Sequence, residues 1–162
     1  MATLTVWKFE TPGGADEAVK TLEKLAREEL VVIHDAATVS WQQDAKKPKT
    51  RQLNHVAGAG ALSGSFWGLL FGLIFFVPLL GLAVGATAGA LAGSLADVGI
   101  DDRFINRARS EITPGTSALF VMTSDAVVDK IKGAFSAHEP SELLFTNLSD
   151  EQENSLREVF AD

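Results

Sequence analysis

The sequence predicts an α+β protein: a ferredoxin-like split βαββαβ sheet interrupted by an inserted apolar glycine-zipper helical hairpin and followed by a C-terminal helix. Three observations carry that expectation. Strand, helix and strand patterns follow one another in both flanks of the chain. Between Val56 and Ala96 there is no Asp, Glu, Lys or Arg. Within that stretch Gly60, Gly64, Gly68 and Gly72 fall four residues apart, and Gly81, Gly85, Gly89 and Gly93 repeat the interval after Pro78. The organisation expected is a first ferredoxin-like half with a basic linker over 1–52, the hairpin over 53–98, and a connecting helix, second half and C-terminal helix over 99–162.

Thr3 to Phe9 is a β-branched and aromatic run with Leu4 and Val6 on one face and Trp7 and Phe9 on the other, as a central strand requires. Thr11-Pro12-Gly13-Gly14 breaks it. Ala15, Ala18, Val19, Leu22, Leu25 and Ala26 then recur at helical spacing, opposite acids and lysines. Val31 to Trp41 alternates, placing Ala37, Val39 and Trp41 on one side and Thr38, Ser40 and Gln42 on the other. That pattern reads as a half-exposed strand. Gln42 to Gln52 reads as a polar linker, with Lys46, Lys47, Lys49 and Arg51 placed to meet anionic headgroups.

The central segment is read as two helices meeting at Val77-Pro78, because proline cannot continue a helix without losing a hydrogen bond. Glycine costs roughly 1 kcal/mol against alanine in a helix interior. Residues four apart share a helix face, so each set of glycines clears a stripe along which another backbone can approach. A helix from Val56 to Val77 would be roughly 33 Å long and one from Leu79 to Val98 roughly 30 Å, and either matches a hydrocarbon core of about 30 Å. Large residues including Leu62, Phe66, Trp67, Leu69, Leu70, Phe71, Leu73, Ile74, Phe75 and Phe76 surround the first stripe. The first helix is therefore expected to face lipid. The second, mostly Ala and Gly, is expected to lie inside an assembly.

Beyond the hairpin, Asp101-Asp102 can cap a short helix in which Phe104, Ile105, Ala108 and Ile112 share a face while Arg103, Arg107 and Arg109 point elsewhere. Basic residues thus flank the hairpin on both sides. Pro114-Gly115 turns the chain into the continuous apolar run Ser117 to Thr123, a second central strand. A helix with Val127, Val128, Ile131, Ala134 and Phe135 inward, a strand from Leu143 to Leu148 and a terminal helix from Ser149 to Phe160 complete the pattern. In the split arrangement the first and third strands are central. Helices then cover one sheet face only, and apolar residues on both faces of those strands point to a partner, most simply another subunit.

Gly99-Ile100-Asp101-Asp102-Arg103-Phe104-Ile105 and Pro114-Gly115-Thr116-Ser117-Ala118-Leu119-Phe120-Val121 resemble an uncharacterised bacterial membrane-protein family, catalogued only as a domain of unknown function. The resemblance spans nearly the whole chain and implies membrane association with ferredoxin-like flanks around a glycine-rich hairpin. It brings no catalytic residue or ligand.

The residues point to association and away from chemistry. The chain has no cysteine, so it has no disulfide or thiolate site. A net charge of −7 disfavours a nucleic-acid partner. His34, His55 and His138 are not at metal-ligand spacing, and the glycine offsets from Gly58 to Gly64 lack the preceding strand and following lysine of a nucleotide loop. No enzyme activity, cofactor or metal is expected, and any small-molecule ligand is unknown. The start of the sequence lacks the charged and apolar regions of a signal peptide. The expectation is a non-enzymatic homo-oligomer at the cell membrane with both termini cytoplasmic and the glycines as helix-packing sites. The alternative is a soluble ring or shell that buries its hairpins internally. A pore or carrier ranks below both, because the second helix offers only Thr87 and Ser94 as polar lining.

Overall fold

A computed structural model describes residues 2–28, 33–53, 67, 70–76, 102–124, 133 and 142–148. The elements in order are β1 (Ala2–Phe9), α1 (Gly14–Arg27), β2 (Ile33–Ser40), β3 (Lys49–Gln52), a π-helical turn (Gly72–Phe76), α2 (Asp102–Glu111), β4 (Ser117–Ser124) and β5 (Glu142–Leu148). The fold is mixed α+β. The five strands among the described residues form one sheet in the order β3-β2-β4-β1-β5, and their four pairings are antiparallel. The two most apolar strands, β1 and β4, pair along their full length from Ala2 with Ser124 to Phe9 with Ser117.

Alternation along the strands sorts the core into two layers. On one face Trp7, Phe9, Leu119, Val121 and Ala36 pack under α1, which contributes Ala15, Ala18, Val19 and Leu22. On the other face lie Leu4, Val6, Ala37, Val39, Trp41, Ala118, Phe120 and Met122. That second face is not left for another subunit. The chain covers it with Trp67, Leu70, Phe71, Ile74 and Phe75 and with Phe104, Ile105, Ala108 and Ile112 of α2.

This corrects the expectation for the first helix of the hairpin. Trp67, Leu70, Phe71, Ile74 and Phe75 are each no more than 3% exposed, and they pack on the sheet instead of facing lipid. Burial of such side chains is worth roughly 2 kcal/mol each before ordering costs. Among the described residues no helix is long and apolar enough to cross a membrane. The rest of the expected hairpin, the helix between β4 and β5 and the C-terminal helix lie outside the described residues, apart from Gly133.

Two further readings change. The stretch expected as a linker contains β3, which pairs with β2 from Ala37 with Gln52 to Ser40 with Lys49. Because β3 takes the edge, β2 is interior and buried on both faces, with Ala36 and Thr38 as covered as Ala37 and Val39. A bulge between Ile33 and Asp35 breaks the register with β4. One extra residue inverts the alternation, so Ile33 joins the α1 layer while Asp35 falls on the opposite side with Ala37 and Val39.

Remote contacts finish the local elements. Helix α1 begins after Gly13, which provides no side-chain cap. The Ser117 hydroxyl of β4 takes that role, accepting from the Ala15 N–H at 2.8 Å and donating to the Thr11 carbonyl at 2.7 Å. A Cβ on Gly14 would collide with the Phe9 Cβ, so glycine lets the helix start close against β1. Thr113-Pro114-Gly115-Thr116 forms a turn closed by the Thr116 N–H on the Thr113 carbonyl at 3.1 Å. Gly115 has φ +88°, the conformation that the third residue of a type II turn needs. That turn is held against β2 by the Gly115 N–H on the Trp41 carbonyl at 2.8 Å.

Candidate functional site

The place where the apolar segment meets the sheet is the most specific arrangement in the molecule. Trp67, Leu70, Phe71, Ile74 and Phe75 recur at three- and four-residue intervals, the spacing of a single buried helix face. Phe71 meets Phe120 edge-on with ring centroids 5.0 Å apart, and Trp67 meets the same ring edge-on at 6.4 Å. Lower down, Phe75 stands perpendicular to Trp41 at 5.9 Å. Such edge-to-face pairs add about 1 kcal/mol each to plain burial. The segment therefore runs along β2 from the Asp35 end towards Trp41.

Each end of this seam carries a polar fastening. At the upper end the carboxylate of Asp35 is fully buried. Its Oδ2 accepts from Trp67 Nε1 at 2.9 Å and from Gln52 Nε2 at 3.1 Å, while Oδ1 accepts from the Ala36 N–H at 2.8 Å. A carboxylate without donors would be very costly inside an apolar layer. Here three separate pieces of chain, β2, β3 and the apolar segment, converge on one group. At the lower end Arg109 Nε donates to the Ile74 carbonyl at 3.1 Å. That bond ties α2 to the end of the apolar segment.

The predicted helix-packing glycines are only partly in view. Gly60, Gly64, Gly68, Gly81, Gly85, Gly89 and Gly93 lie outside the described residues. Gly72 opens the π-helical turn, and a Cβ built there meets nothing within 4 Å. Among the described residues nothing approaches that glycine closely. The predicted headgroup-binding cations are all exposed but are not gathered on one side. Arg51 lies 3.7 Å from Asp16 of α1, on the α1 face. Arg103, Arg107 and Arg109 belong to α2, which covers the opposite face.

Sequence reading missed Asp35, Trp67 and Gln52 as a set. Trp67 was available through its spacing with Phe71 and Ile74, a seam hidden by the more regular glycines. Asp35 was not, because its direction depends on the bulge. Among the described residues no group of three metal-ligating side chains is assembled, and the side chains of His34, His55 and His138 are outside them.

Comparison with known proteins adds a family. No curated protein matches the chain, and no solved structure does. The profile of the DUF1269 family, described as a protein of unknown function, matches residues 61–161. That match takes in more than half of the 162 residues, from inside the apolar segment through β5. The chain therefore belongs to the DUF1269 family.

Proposed function

We infer that this is a non-enzymatic, self-associating protein in which a ferredoxin-like head seats one end of a glycine-zipper segment, and that copies assemble through that segment at a membrane. The observation that carries the reading is the seat itself. Trp67, Phe71 and Phe75 are core residues of the head and also part of the charge-free stretch from Val56 to Ala96, so these residues tie that stretch to the head. The head reading draws support from the order β2-β4-β1-β5 with α1 between β1 and β2, which is the strand order of the split βαββαβ arrangement once the short β3 is set aside.

Two sequence features support assembly. Gly81, Gly85, Gly89 and Gly93 keep their four-residue interval beyond the seat, and small residues at that spacing favour backbone-to-backbone packing. Leu62, Phe66, Leu69, Leu73 and Phe76 form a second stripe at three- and four-residue intervals, separate from the buried set. On a helical wheel it lies opposite Trp67 and Ile74, where lipid or a neighbouring copy would meet it.

A second reading is favoured by one observation. Five large side chains of the first predicted helix are spent on the sheet, which withdraws them from lipid. That suits a detergent-free ring or shell in which the remaining apolar segments bury one another. Fractionation of expressing cells separates the two. Recovery in the membrane fraction, resistant to salt and released by mild detergent, supports the first reading, whereas a defined large particle in detergent-free buffer supports the second. In either case Gly85→Leu with Gly89→Leu is expected to abolish the defined oligomer, and a native-size oligomer in that double variant would refute assembly through the zipper.

A further inference from the structure

A pocket of about 130 Å³ opens at the lower end of the seat. Among the described residues its walls are the buried side chains of Trp41, Ile74, Phe75 and Ile112, with Arg109, Thr113 and Pro114 exposed at its mouth. Ile74 and Phe75 belong to the apolar segment, and the others to the head. The nitrogen donors of the lining side chains are already engaged. Trp41 Nε1 donates to the Ala45 carbonyl at 3.1 Å. The Arg109 guanidinium donates to the Ile74 carbonyl at 3.1 Å and to Asn106 Oδ1 at 3.3 Å, and it holds a further interaction besides. The Thr113 backbone is taken up likewise, its N–H by Thr116 Oγ1 at 3.1 Å and its carbonyl by the Thr116 N–H and hydroxyl.

We propose that this pocket binds an uncharged, apolar molecule of about one aromatic ring, and that its occupant helps to hold the apolar segment on the sheet. Size follows from the volume, because an engineered apolar cavity of about 150 Å³ accepts one benzene. Lack of charge follows from the walls. With the Trp41 and Arg109 donors committed elsewhere, a polar or ionised group pushed between these walls gives up its water without a replacement partner. An apolar ring instead gains by burial. It also meets Trp41 and Phe75, whose rings stand perpendicular with centroids 5.9 Å apart, a packing that a third ring can extend. An occupant touches Ile74 and Phe75 on one side and Trp41 and Ile112 on the other. The pocket exists only while the segment is seated, so filling it favours the seated form by mass action. This binding does not depend on the assembly proposed above, and the two stand or fall separately.

The test is a titration of the full-length protein with toluene, followed by the NMR signals of the Trp41 indole N–H and the Ile74 and Ile112 methyl groups. The Trp7 indole and the Leu22 methyl groups, in the layer under α1, serve as controls. Toluene is expected to shift the first set saturably and leave the controls in place. Benzyl alcohol is expected to bind about tenfold more weakly and sodium benzoate more weakly still, as the cost of desolvating an unpaired polar group implies. Thr113→Phe, at an exposed position of the mouth, is expected to fill the entrance and weaken toluene severalfold with the control signals unmoved. Oligomer size is measured on the same samples, which keeps a failure of assembly apart from a failure of binding. Absence of saturable shifts in the wild-type protein, equal shifts at the control residues, or benzoate binding as tightly as toluene would overturn the proposal, as would undiminished toluene affinity in Thr113→Phe.

Discussion

The two faces of the sheet are buried to a similar degree but are closed by different kinds of sequence. Helix α1 covers its face in the ordinary way. It has a stripe of Ala15, Ala18, Val19 and Leu22 inward and exposed charges such as Asp16, Glu17 and Lys20 outward. The opposite face is closed by a segment that has no charged side at all, together with α2. An amphipathic helix finds its orientation from the contrast between its sides. A segment apolar all round has no such contrast, and orientation must come from elsewhere. Here it comes from ring packing on Phe120 and Trp41 and from two polar fastenings, Asp35 with Trp67 and Arg109 with Ile74.

That comparison breaks most visibly if the second face is not part of the folding unit. Phe71→Ala and Leu22→Ala remove large buried side chains from opposite faces. Each is expected to lower the stability of the head by about 3–4 kcal/mol in urea unfolding. A Phe71→Ala protein with unchanged stability would mean that the apolar segment is no part of the core. Gly14→Ala on the α1 face, where a Cβ collides with Phe9, is expected to cost about 1–3 kcal/mol through overpacking.

The fastenings sharpen the comparison. Trp67→Phe keeps a ring against Phe120 but removes the N–H that Asp35 accepts. It is expected to cost about 2 kcal/mol, as for a hydrogen bond to a charged group. The matching substitution on the other face is Ser117→Ala, which removes the remote cap of α1. A loss of about 1 kcal/mol is expected there. Equal losses from the two variants would argue that the buried carboxylate adds nothing beyond an ordinary polar contact. Arg51→Ala, which breaks only an exposed pair with Asp16, is expected to change stability by less than about 0.5 kcal/mol.

How much of this was legible in the sequence follows the same division. Leu4 and Val6 against Trp7 and Phe9, the α1 stripe, the face of α2 and the run from Ala118 to Met122 were readable, because in each the period of the apolar residues matches the element that buries them. β3 was not, since Lys49-Thr50-Arg51-Gln52 has no apolar member and owes its strand to pairing with β2. The seat was half legible. Trp67, Leu70, Phe71, Ile74 and Phe75 carry the spacing of a core-facing stripe, yet in an uncharged segment nothing local distinguishes a stripe meant for a sheet from one meant for lipid. Asp35 was hidden for a different reason. Strict alternation starting from Ile33 gives the right side for Asp35 only if Ile33 shares its face, and the bulge puts Ile33 on the other.

The central claim is that Trp67, Leu70, Phe71, Ile74 and Phe75 belong to the head's core, and the surroundings of Trp67 test it most directly. Protein labelled with 5-fluorotryptophan gives separate ¹⁹F signals for Trp7, Trp41 and Trp67, and Trp67→Phe assigns the third. In vesicles doped with a paramagnetic lipid, the Trp67 signal is expected to stay as sharp as that of Trp7, which is buried under α1. Selective broadening of Trp67 by the lipid would place it in the bilayer and contradict the account.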